Sequence, residues 1–177
     1  MSLIQNNKLI GFAAYSGTGK TTLIKDVVMI LKKSNYRVSV IKHAHHNFDI
    51  DQPGKDSYEI RKSGAENMLI SSKNRWALMH ENMNNNELTL IDLINLLGKI
   101  KYDLILVEGF KAESFPKIEL YRKEVSKDRG LLSSSDKNVV AIATEQKTKL
   151  ETSLPVLDIN NPQNIADFII NFLNISK

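Results

Sequence analysis

Short apolar runs rich in Ile, Leu and Val recur along the chain and are separated by more polar segments. Runs of this kind lie at residues 8–13, 37–42, 103–107 and 138–143. Shorter runs lie at residues 68–71, 76–79 and 156–159. The runs at 8–13 and 103–107 are typical of buried strands, and we expect strands at the other places as well.

A second periodicity, with apolar residues three or four positions apart, predicts helices between the strands. Leu23, Val27 and Leu31 recur at this spacing after the first run. Further helices are predicted at residues 55–64, 87–97 and 162–173. Because strands and helices alternate, the pattern predicts an α/β fold with a mainly parallel sheet flanked by helices.

Two segments in the second half of the chain are more polar. Residues 117–122 alternate between apolar and polar side chains, which predicts a strand with one exposed face. Residues 123–137 are polar and rich in serine, and they predict a mobile loop. The chain shows no repeat and no linker, so we expect one domain over residues 1–177.

A glycine-rich loop joins the first strand to the first helix. Residues 14–21 read Ala-Tyr-Ser-Gly-Thr-Gly-Lys-Thr, the phosphate-binding pattern of P-loop proteins with Ala14 in place of the first glycine. Backbone N–H groups of such a loop, and the positive end of the following helix, bind a triphosphate. Lys20 is predicted to contact the terminal phosphates, and the Thr21 hydroxyl to bind Mg²⁺. We expect a negative φ at Ala14, since alanine tolerates positive φ poorly.

One acidic residue, Glu108, directly follows the most apolar run. In open α/β sheets ligands bind at the carboxyl ends of the strands. Nucleoside triphosphatases place a metal-binding acid there, usually aspartate. We therefore predict that Glu108 supports Mg²⁺ or orients an attacking water, and that Lys20 and Glu108 are the catalytic residues.

A histidine-rich segment, Lys-His-Ala-His-His-Asn-Phe-Asp-Ile-Asp, follows the second strand. Adjacent His45 and His46 project in different directions, which does not favour a dedicated transition-metal site. Two interpretations remain. The segment is a solvated polar loop, or it lies beside the triphosphate, where Asp49 or Asp51 supports Mg²⁺ and the histidines, including His43, face an anionic ligand.

Composition narrows the functional class. The 177 residues are 25% charged and 42% hydrophobic with a formal net charge of +4, as in ordinary globular proteins. Lys and Arg form no dense block, so nucleic acid is not a predicted partner. The chain has no cysteine, no apolar run near the roughly 20 residues that a bilayer requires and no signal-peptide core. We therefore expect a cytoplasmic protein without a membrane partner.

The residues themselves leave the base of the nucleotide open. The Asn-Lys-x-Asp motif with which many small GTPases read guanine is absent. The segment Thr-Glu-Gln-Lys at residues 144–147 follows a strand, at a place where a base pocket could form. No glutamine or arginine finger can be assigned, so we expect slow hydrolysis.

Several segments together resemble the family of molybdopterin-guanine dinucleotide biosynthesis protein B (MobB). The resemblance rests on residues 14–23, on IKHAHHNFDIDQPGKDSYEIRKSGA at 41–65, on RWALMHE at 75–81 and on DLILVEGFK at 103–111. The Lys-His-x-His-His and Asp-x-Asp-x-Pro-Gly-Lys-Asp-Ser patterns are more specific than the phosphate loop. The family tolerates a residue other than glycine at the Ala14 position.

The resemblance implies a P-loop NTPase that binds GTP, hydrolyses it weakly with Mg²⁺ and forms a homodimer. The strand at 117–122 and its loop are the expected dimer-forming elements. It also implies an accessory role in attaching GMP to molybdopterin, alongside a molybdenum cofactor guanylyltransferase. The candidate ligand-binding residues are Ser16, Gly17, Thr18, Gly19, Lys20, Thr21, Thr22, His43, His45 and His46. The candidate metal ligands are Thr21, Glu108 and Asp49.

Two alternatives share these residues. In a small-molecule kinase, Arg122 and Arg129 would belong to a lid, and the γ-phosphate would pass to a small acceptor. In a non-enzymatic carrier, the nucleotide would control shape, and the histidine-rich segment would bind the phosphate of the pterin.

Overall fold

The computed structural model describes residues 7–44, 48–82, 87–98, 100–126, 129–145 and 149–176. The chain divides into two compact units. The larger unit comprises Met1–His43 and Leu90–Lys177, and the smaller unit comprises Ala44–Thr89.

The elements follow the predicted order. The strands are β1 (Leu9–Ala14), β2 (Val38–Lys42), β3 (Asn67–Ser71), β4 (Trp76–His80), β5 (Leu104–Glu108), β6 (Lys117–Leu120), β7 (Val139–Thr144) and β8 (Val156–Asp158). The helices are α1 (Lys20–Lys33), α2 (Asp56–Lys62), α3 (Leu90–Leu97), α4 (Lys123–Ser126) and α5 (Pro162–Phe172). A 3₁₀ turn spans Leu132–Ser134. Most predicted bounds are therefore correct to within one to three residues.

The larger unit is built on one parallel sheet. In the described residues its six strands have the order β2-β5-β1-β6-β7-β8, and all neighbours run parallel. This confirms the predicted α/β fold with a mainly parallel sheet. Because β1 lies between β5 and β6, the loop after β1 and the residue at the end of β5 come to the same edge of the sheet.

Alternate side chains of the central strands face two apolar layers. Ile10 and Phe12 of β1 pack with α1 and α5 on one face, through side chains such as Val27 and Ile169. On the other face, Leu9 packs with α3. Every residue of β1 is buried. Both faces of the sheet are therefore covered, which is why its strands read as continuous apolar runs.

The strand predicted to be half exposed is instead fully buried. All four residues of β6 are buried, and the strand pairs with β1 on one side and β7 on the other. Its two charged residues are satisfied internally: Lys117 Nζ lies 2.9 Å from Asp136 Oδ2, and Glu119 accepts hydrogen bonds from the N–H groups of Leu132 and Ser133. The prediction of an exposed face is therefore wrong for Lys117–Leu120. The role of residues 117–122 and their loop in forming a dimer stays a prediction.

The segment predicted as a mobile loop contains two ordered turns in its described part. These are α4 and the 3₁₀ turn at Leu132–Ser134. The hydrogen bonds from Leu132 and Ser133 to Glu119 attach this 3₁₀ turn to the sheet. The Asp136 side chain, in the same segment, also pairs with the buried Lys117, so part of this polar segment contacts the buried charges of β6.

The smaller unit consists of helix α2 and an antiparallel hairpin. Strands β3 and β4 pair with Leu69 opposite Leu78 and Ser71 opposite Trp76. Within this unit the guanidinium of Arg61 is buried and pairs with the carboxylates of Asp49 and Glu81. These ion pairs connect α2 to Asp49, before the helix, and to Glu81, directly after β4.

Candidate nucleotide-binding site

The glycine-rich loop lies where its sequence predicts it, between β1 and α1. Ala14 ends β1 and is absent from the non-glycine residues with positive φ in the described chain, so the expected negative φ is confirmed. Gly17 and Gly19 have φ of 84° and 89°. Residues other than glycine are strained at positive φ, so these two glycines allow the backbone of the loop to curl. The replacement of the first glycine by alanine therefore leaves the loop intact.

The loop is fixed from within and from a neighbouring strand. The buried Thr18 hydroxyl donates to the Tyr15 carbonyl at 2.6 Å. The Thr18 carbonyl accepts a hydrogen bond from Arg122 Nε at 3.2 Å, and Arg122 follows β6. These bonds hold the loop in shape before a ligand arrives.

The N-terminus of α1 is open to an anion. The N-cap residue Gly19 has a left-handed conformation, and because it has no side chain it does not cap the first N–H groups of the helix. The first turn carries no acidic residue and begins with Lys20 and Thr21. Unsatisfied N–H groups and the positive end of the helix dipole remain available there for phosphate oxygens.

The carboxylate of Glu108 joins this helix to the sheet. Glu108 is the last residue of β5 and lies in register with Phe12 on one side and Lys42 on the other. The Thr21 hydroxyl donates to Glu108 Oε1 over 3.4 Å, and Lys20 Nζ lies 3.7 Å from the same oxygen. Lys42 Nζ lies 3.4 Å from Oε2. The structure thus brings together Lys20, Thr21 and Glu108, which the sequence predicted, and adds Lys42.

The electrostatics of this cluster favour an incoming anion. Burial lowers the pKa of Lys20 most, and the positive charges of Lys111 and Lys42 lower it further, against the opposing effect of Glu108. Lys20 and Lys42 thus share the carboxylate of Glu108, and the charge of Lys111 also acts on Lys20. An anion bound here would relieve the repulsion among them, which is the field expected at a polyphosphate site.

The donor atoms suit a magnesium ion that also binds phosphate. Mg²⁺ prefers oxygen ligands and usually takes one or two protein groups with phosphates and waters. The Thr21 hydroxyl and the Glu108 carboxylate converge and supply oxygens of this kind. Among the described residues no group of three or more His, Cys, Asp or Glu side chains could hold a metal by itself. The arrangement therefore fits a metal held jointly with a nucleotide.

The other predicted metal ligand, Asp49, belongs to the smaller unit. Both of its carboxylate oxygens accept hydrogen bonds from Arg61 Nη2, at 2.6 and 2.7 Å. These bonds lower the pKa of Asp49. Its carboxylate is thus engaged within its own unit, and its role toward a metal stays a prediction.

Of the three histidines predicted to face a ligand, His43 lies within the described residues. The backbone N–H of His43 donates to the Glu108 carbonyl at 2.8 Å, and its ring lies 4.9 Å from the ring of Phe110. His43 therefore adjoins the end of β5. His45 and His46 lie outside the described residues, and their predicted contact with a ligand stays a prediction.

A cleft of about 400 Å³ adjoins the phosphate loop. Its walls are the loop and first turns of α1, Arg122, and the residues that follow β8, including Asn160. Sequence reasoning placed Arg122 only in a hypothetical lid and assigned no role to Asn160. Arg122 and Asn160 each lie two residues after the carboxyl end of a parallel strand, β6 and β8. Ligands bind at this edge of a parallel sheet, so their positions after predicted strands could have marked them as candidate site residues.

The model of the family described as MobB, molybdopterin guanine dinucleotide synthesis protein B, matches residues 9–145. The chain belongs to the MobB family. The matched region contains the phosphate loop and Glu108, together with the whole smaller unit.

MobB relatives match over nearly their full length. The molybdopterin-guanine dinucleotide biosynthesis adapter protein of Escherichia coli (strain K12) is 44% identical over 165 residues, covering 93% of each chain. The protein of the same description from Haemophilus influenzae (strain ATCC 51907 / DSM 11121 / KW20 / Rd) is 40% identical over 174 residues, covering 97% of this chain and 94% of its own.

Solved MobB structures have the same fold. A crystal structure of Bacillus subtilis MobB aligns with a TM-score of 0.72 at 22% identity, covering 92% of this chain and 96% of its own. The MobB homologue from Bacillus stearothermophilus aligns with a TM-score of 0.68 at 20% identity, covering 96% and 99%. These likenesses confirm the predicted fold. In the described part of the chain, no helix combines the length and the apolar character that a bilayer crossing requires.

Proposed function

We propose that this protein is a GTP-binding accessory factor of molybdenum cofactor biosynthesis, which assists the conversion of molybdopterin to molybdopterin guanine dinucleotide. The pathway is that of the adapter proteins it matches at 40–44% identity. The observation that carries the nucleotide part is the convergence of Lys20, Thr21 and Glu108 at the open N-terminus of α1.

Each residue of this cluster has a distinct role in the proposal. The backbone of the loop from Ser16 to Thr22 binds the phosphates, and Lys20 neutralises their terminal charge. Thr21 and Glu108 hold Mg²⁺ when it binds with the nucleotide. The metal would supply charge neutralisation at the phosphates. The backbone hydrogen bond of His43 to the Glu108 carbonyl supports a contact of His43 with the same ligand.

We expect slow hydrolysis because the guanidinium of Arg122, beside the phosphate loop, is bonded to protein groups. Arg122 donates to the Thr18 carbonyl, to Glu145 Oε1 at 2.7 Å and to Asn160 Oδ1 at 3.1 Å. An arginine finger must instead contact the transferring phosphate. With Arg122 bonded in this way, we expect slow turnover, which suits an accessory factor more than a metabolic kinase.

The proposed partners are a molybdenum cofactor guanylyltransferase, molybdopterin and a second copy of the chain. Because β6 is buried, we propose that the second copy binds instead at the exposed apolar face of the β3–β4 hairpin. Leu69, Trp76 and Leu78 share one face of it and are 63%, 59% and 52% exposed. Large apolar side chains grouped on one face are typical of an association surface.

Calorimetric titration tests the nucleotide part. GTP with Mg²⁺ is expected to bind, and Lys20→Ala is expected to lower its affinity at least about tenfold, because a charge-assisted contact is lost. The matched control is Lys25→Ala, on the exposed side of the same helix. Equal affinity of the Lys20 variant, or stronger binding of ATP than of GTP, would contradict the proposal.

Reconstitution with a guanylyltransferase tests the pathway part. Adding the protein is expected to increase the yield of molybdopterin guanine dinucleotide, and the Lys20 variant is expected to lose this effect. If the variant loses hydrolysis but keeps both molybdopterin binding and stimulation, the carrier alternative replaces the proposed function.

A further inference from the structure

A segment that follows β6 lies against the phosphate loop. We call this segment the strap and define it as residues 122–126 and 129–134, which the structure describes. At its start the strap continues from the carboxyl end of β6. Near its other end the N–H groups of Leu132 and Ser133 donate to the buried carboxylate of Glu119 in β6. The strap is therefore attached to the sheet at both ends.

In the middle of the strap, Arg129 lies over the ring of Tyr15, the first residue of the loop after β1. The guanidinium carbon is 4.2 Å from the centroid of the ring. Arg129 also donates to the carbonyls of Val125 at 3.1 Å and Ser126 at 3.4 Å. The Tyr15 hydroxyl donates to the Gly130 carbonyl at 3.4 Å. A guanidinium can lie on an aromatic face and donate hydrogen bonds at the same time, so these contacts together hold Arg129 on Tyr15.

The strap contacts the loop at two further points. Arg122 Nε donates to the Thr18 carbonyl at 3.2 Å. A methyl group of Val125 lies 3.9 Å from the place that a Cβ on Gly17 would take. The contacts of the strap thus extend along the loop from Tyr15 to Thr18.

Contacts of this kind matter for a loop that has unusual backbone freedom. Gly17 and Gly19 both have positive φ, and glycine loses more conformational freedom on ordering than any other residue. Holding such a loop in its binding shape from outside lowers the entropic cost of binding a ligand. We propose that Arg129 is a positioning residue of the phosphate site: by holding the Tyr15 ring it keeps the loop in shape and slows the dissociation of nucleotide. This inference rests on the proposed function, because the loop must bind phosphates for it to apply.

Dissociation of a fluorescent GTP analogue, chased with excess GTP in the presence of Mg²⁺, tests the proposal. Arg129→Ala is expected to raise the dissociation rate about two- to fivefold, the scale of one exposed cation–π contact. Tyr15→Leu removes the ring and should have the same effect. The double variant should dissociate little faster than either single variant, because both changes break one contact.

Hydrolysis separates positioning from catalysis. The KM of Arg129→Ala for GTP is expected to rise by the same factor as the dissociation rate, whereas kcat should stay near that of the wild type. This split is expected because Lys20 and Glu108, the proposed catalytic residues, are unchanged in the variant. A fall in kcat without a change in KM would contradict the proposed role.

A conservative variant and a matched control complete the design. Tyr15→Phe keeps the ring under Arg129 and should restore dissociation to nearly the wild-type rate. Lys123→Ala removes a positive charge from an exposed position of the same strap and should leave the rate unchanged. If Arg129→Ala does not fold, the comparison of Tyr15→Leu with Tyr15→Phe provides the same test.

The outcomes distinguish this inference from the proposed function. If the wild type binds nucleotide but Arg129→Ala and Tyr15→Leu release it at the wild-type rate, the positioning role alone is overturned. Equally fast release from Lys123→Ala also overturns it, because the effect would then be one of charge. A lower thermal midpoint of Arg129→Ala without faster release would show a contact that only stabilises the fold. Failure of the wild type to bind tripolyphosphate or any nucleotide overturns the proposed function, and this inference with it.

Discussion

The hydroxyl of Thr21 and the carboxylate of Glu108 lie 3.4 Å apart, although 87 residues separate them in the chain. The parallel pairing of β1 with β5 brings them together, because Thr21 lies in the first turn of the helix that follows β1 and Glu108 is the last residue of β5. The pair places two oxygen atoms at the N-terminus of α1, where we propose that Mg²⁺ and phosphate bind. Removing the charge of Glu108 should therefore affect the metal and the reaction more than the binding of phosphate.

Glu108→Gln is expected to lower nucleotide turnover about a hundredfold, the scale of a lost acid–base or metal-positioning group. Nucleotide affinity should change much less, since removing a negative charge beside Lys20 and Lys42 favours the phosphates. Single-turnover hydrolysis and calorimetric affinity, measured with and without Mg²⁺, check this. Glu151→Gln, at an exposed position, serves as the control. Unchanged turnover would remove Glu108 from the catalytic residues.

Gly109→Ala is expected to destabilise the larger unit by about 1–3 kcal/mol, the cost of forcing a side chain into a sparsely populated backbone conformation. Gly109 has φ of 103°, and an added Cβ would lie 2.5 Å from the Cβ of His43. Urea denaturation measures the free energy of unfolding. Gly130→Ala is the matched control, because nothing lies within 4 Å of the place that an added Cβ would take and its φ is not in the strained range. Equal stability of the two variants would show that the backbone at Gly109 can relax.

Leu78→Glu is expected to convert a homodimer to monomer. Leu78 lies opposite Leu69 on the exposed apolar face of the hairpin, where a buried charge in an interface would be costly. Sedimentation velocity over a range of concentrations measures the mass in solution. Leu96→Glu, at a 61% exposed leucine of α3, controls for the effect of a new surface charge. A wild-type protein that is monomeric at every concentration would refute the homodimer itself.

The stability of the smaller unit is expected to depend on pH through Asp49. Hydrogen bonds from Arg61 lower the pKa of Asp49 from its ordinary 3.8. A carboxyl whose pKa is lower in the folded state stabilises the fold above its unfolded pKa, and this contribution is lost as pH falls through the folded pKa. The thermal midpoint of Asp49→Asn should therefore lie below that of the wild type at neutral pH, and the difference should shrink below about pH 3.8.

The single tryptophan, Trp76, lies in this unit, so its fluorescence can follow the transition locally. Glu66→Gln, which removes an exposed carboxylate from the same unit, is the control. A difference between Asp49→Asn and the wild type that persists unchanged to low pH would mean that the ion pair with Arg61 is not its source.

The sequence by itself determined most of the strands, the phosphate loop and the residues that we propose to bind nucleotide and Mg²⁺. Apolar runs predict the buried strands, and apolar residues three or four positions apart predict α1. Both patterns can be read from neighbouring residues, because they reflect which side chains of one element are buried. Lys20 and Thr21 follow from the spacing of the loop, and Glu108 from the position of an acid at the end of a buried strand. Ala14 accommodates the loop because it lies within β1, where φ is negative.

Only the tertiary structure decided the partners of the charged residues. The alternation at 117–122 resembles a half-exposed strand, yet Lys117 and Glu119 find partners at residues 136 and 132–133, which no local pattern reveals. The bonds of Arg122 to Thr18 and Asn160 likewise join positions 104 and 38 residues apart. A polar side chain can be buried wherever the fold supplies its hydrogen-bond partner. Polarity in the sequence therefore cannot distinguish a solvated residue from one that organises the site.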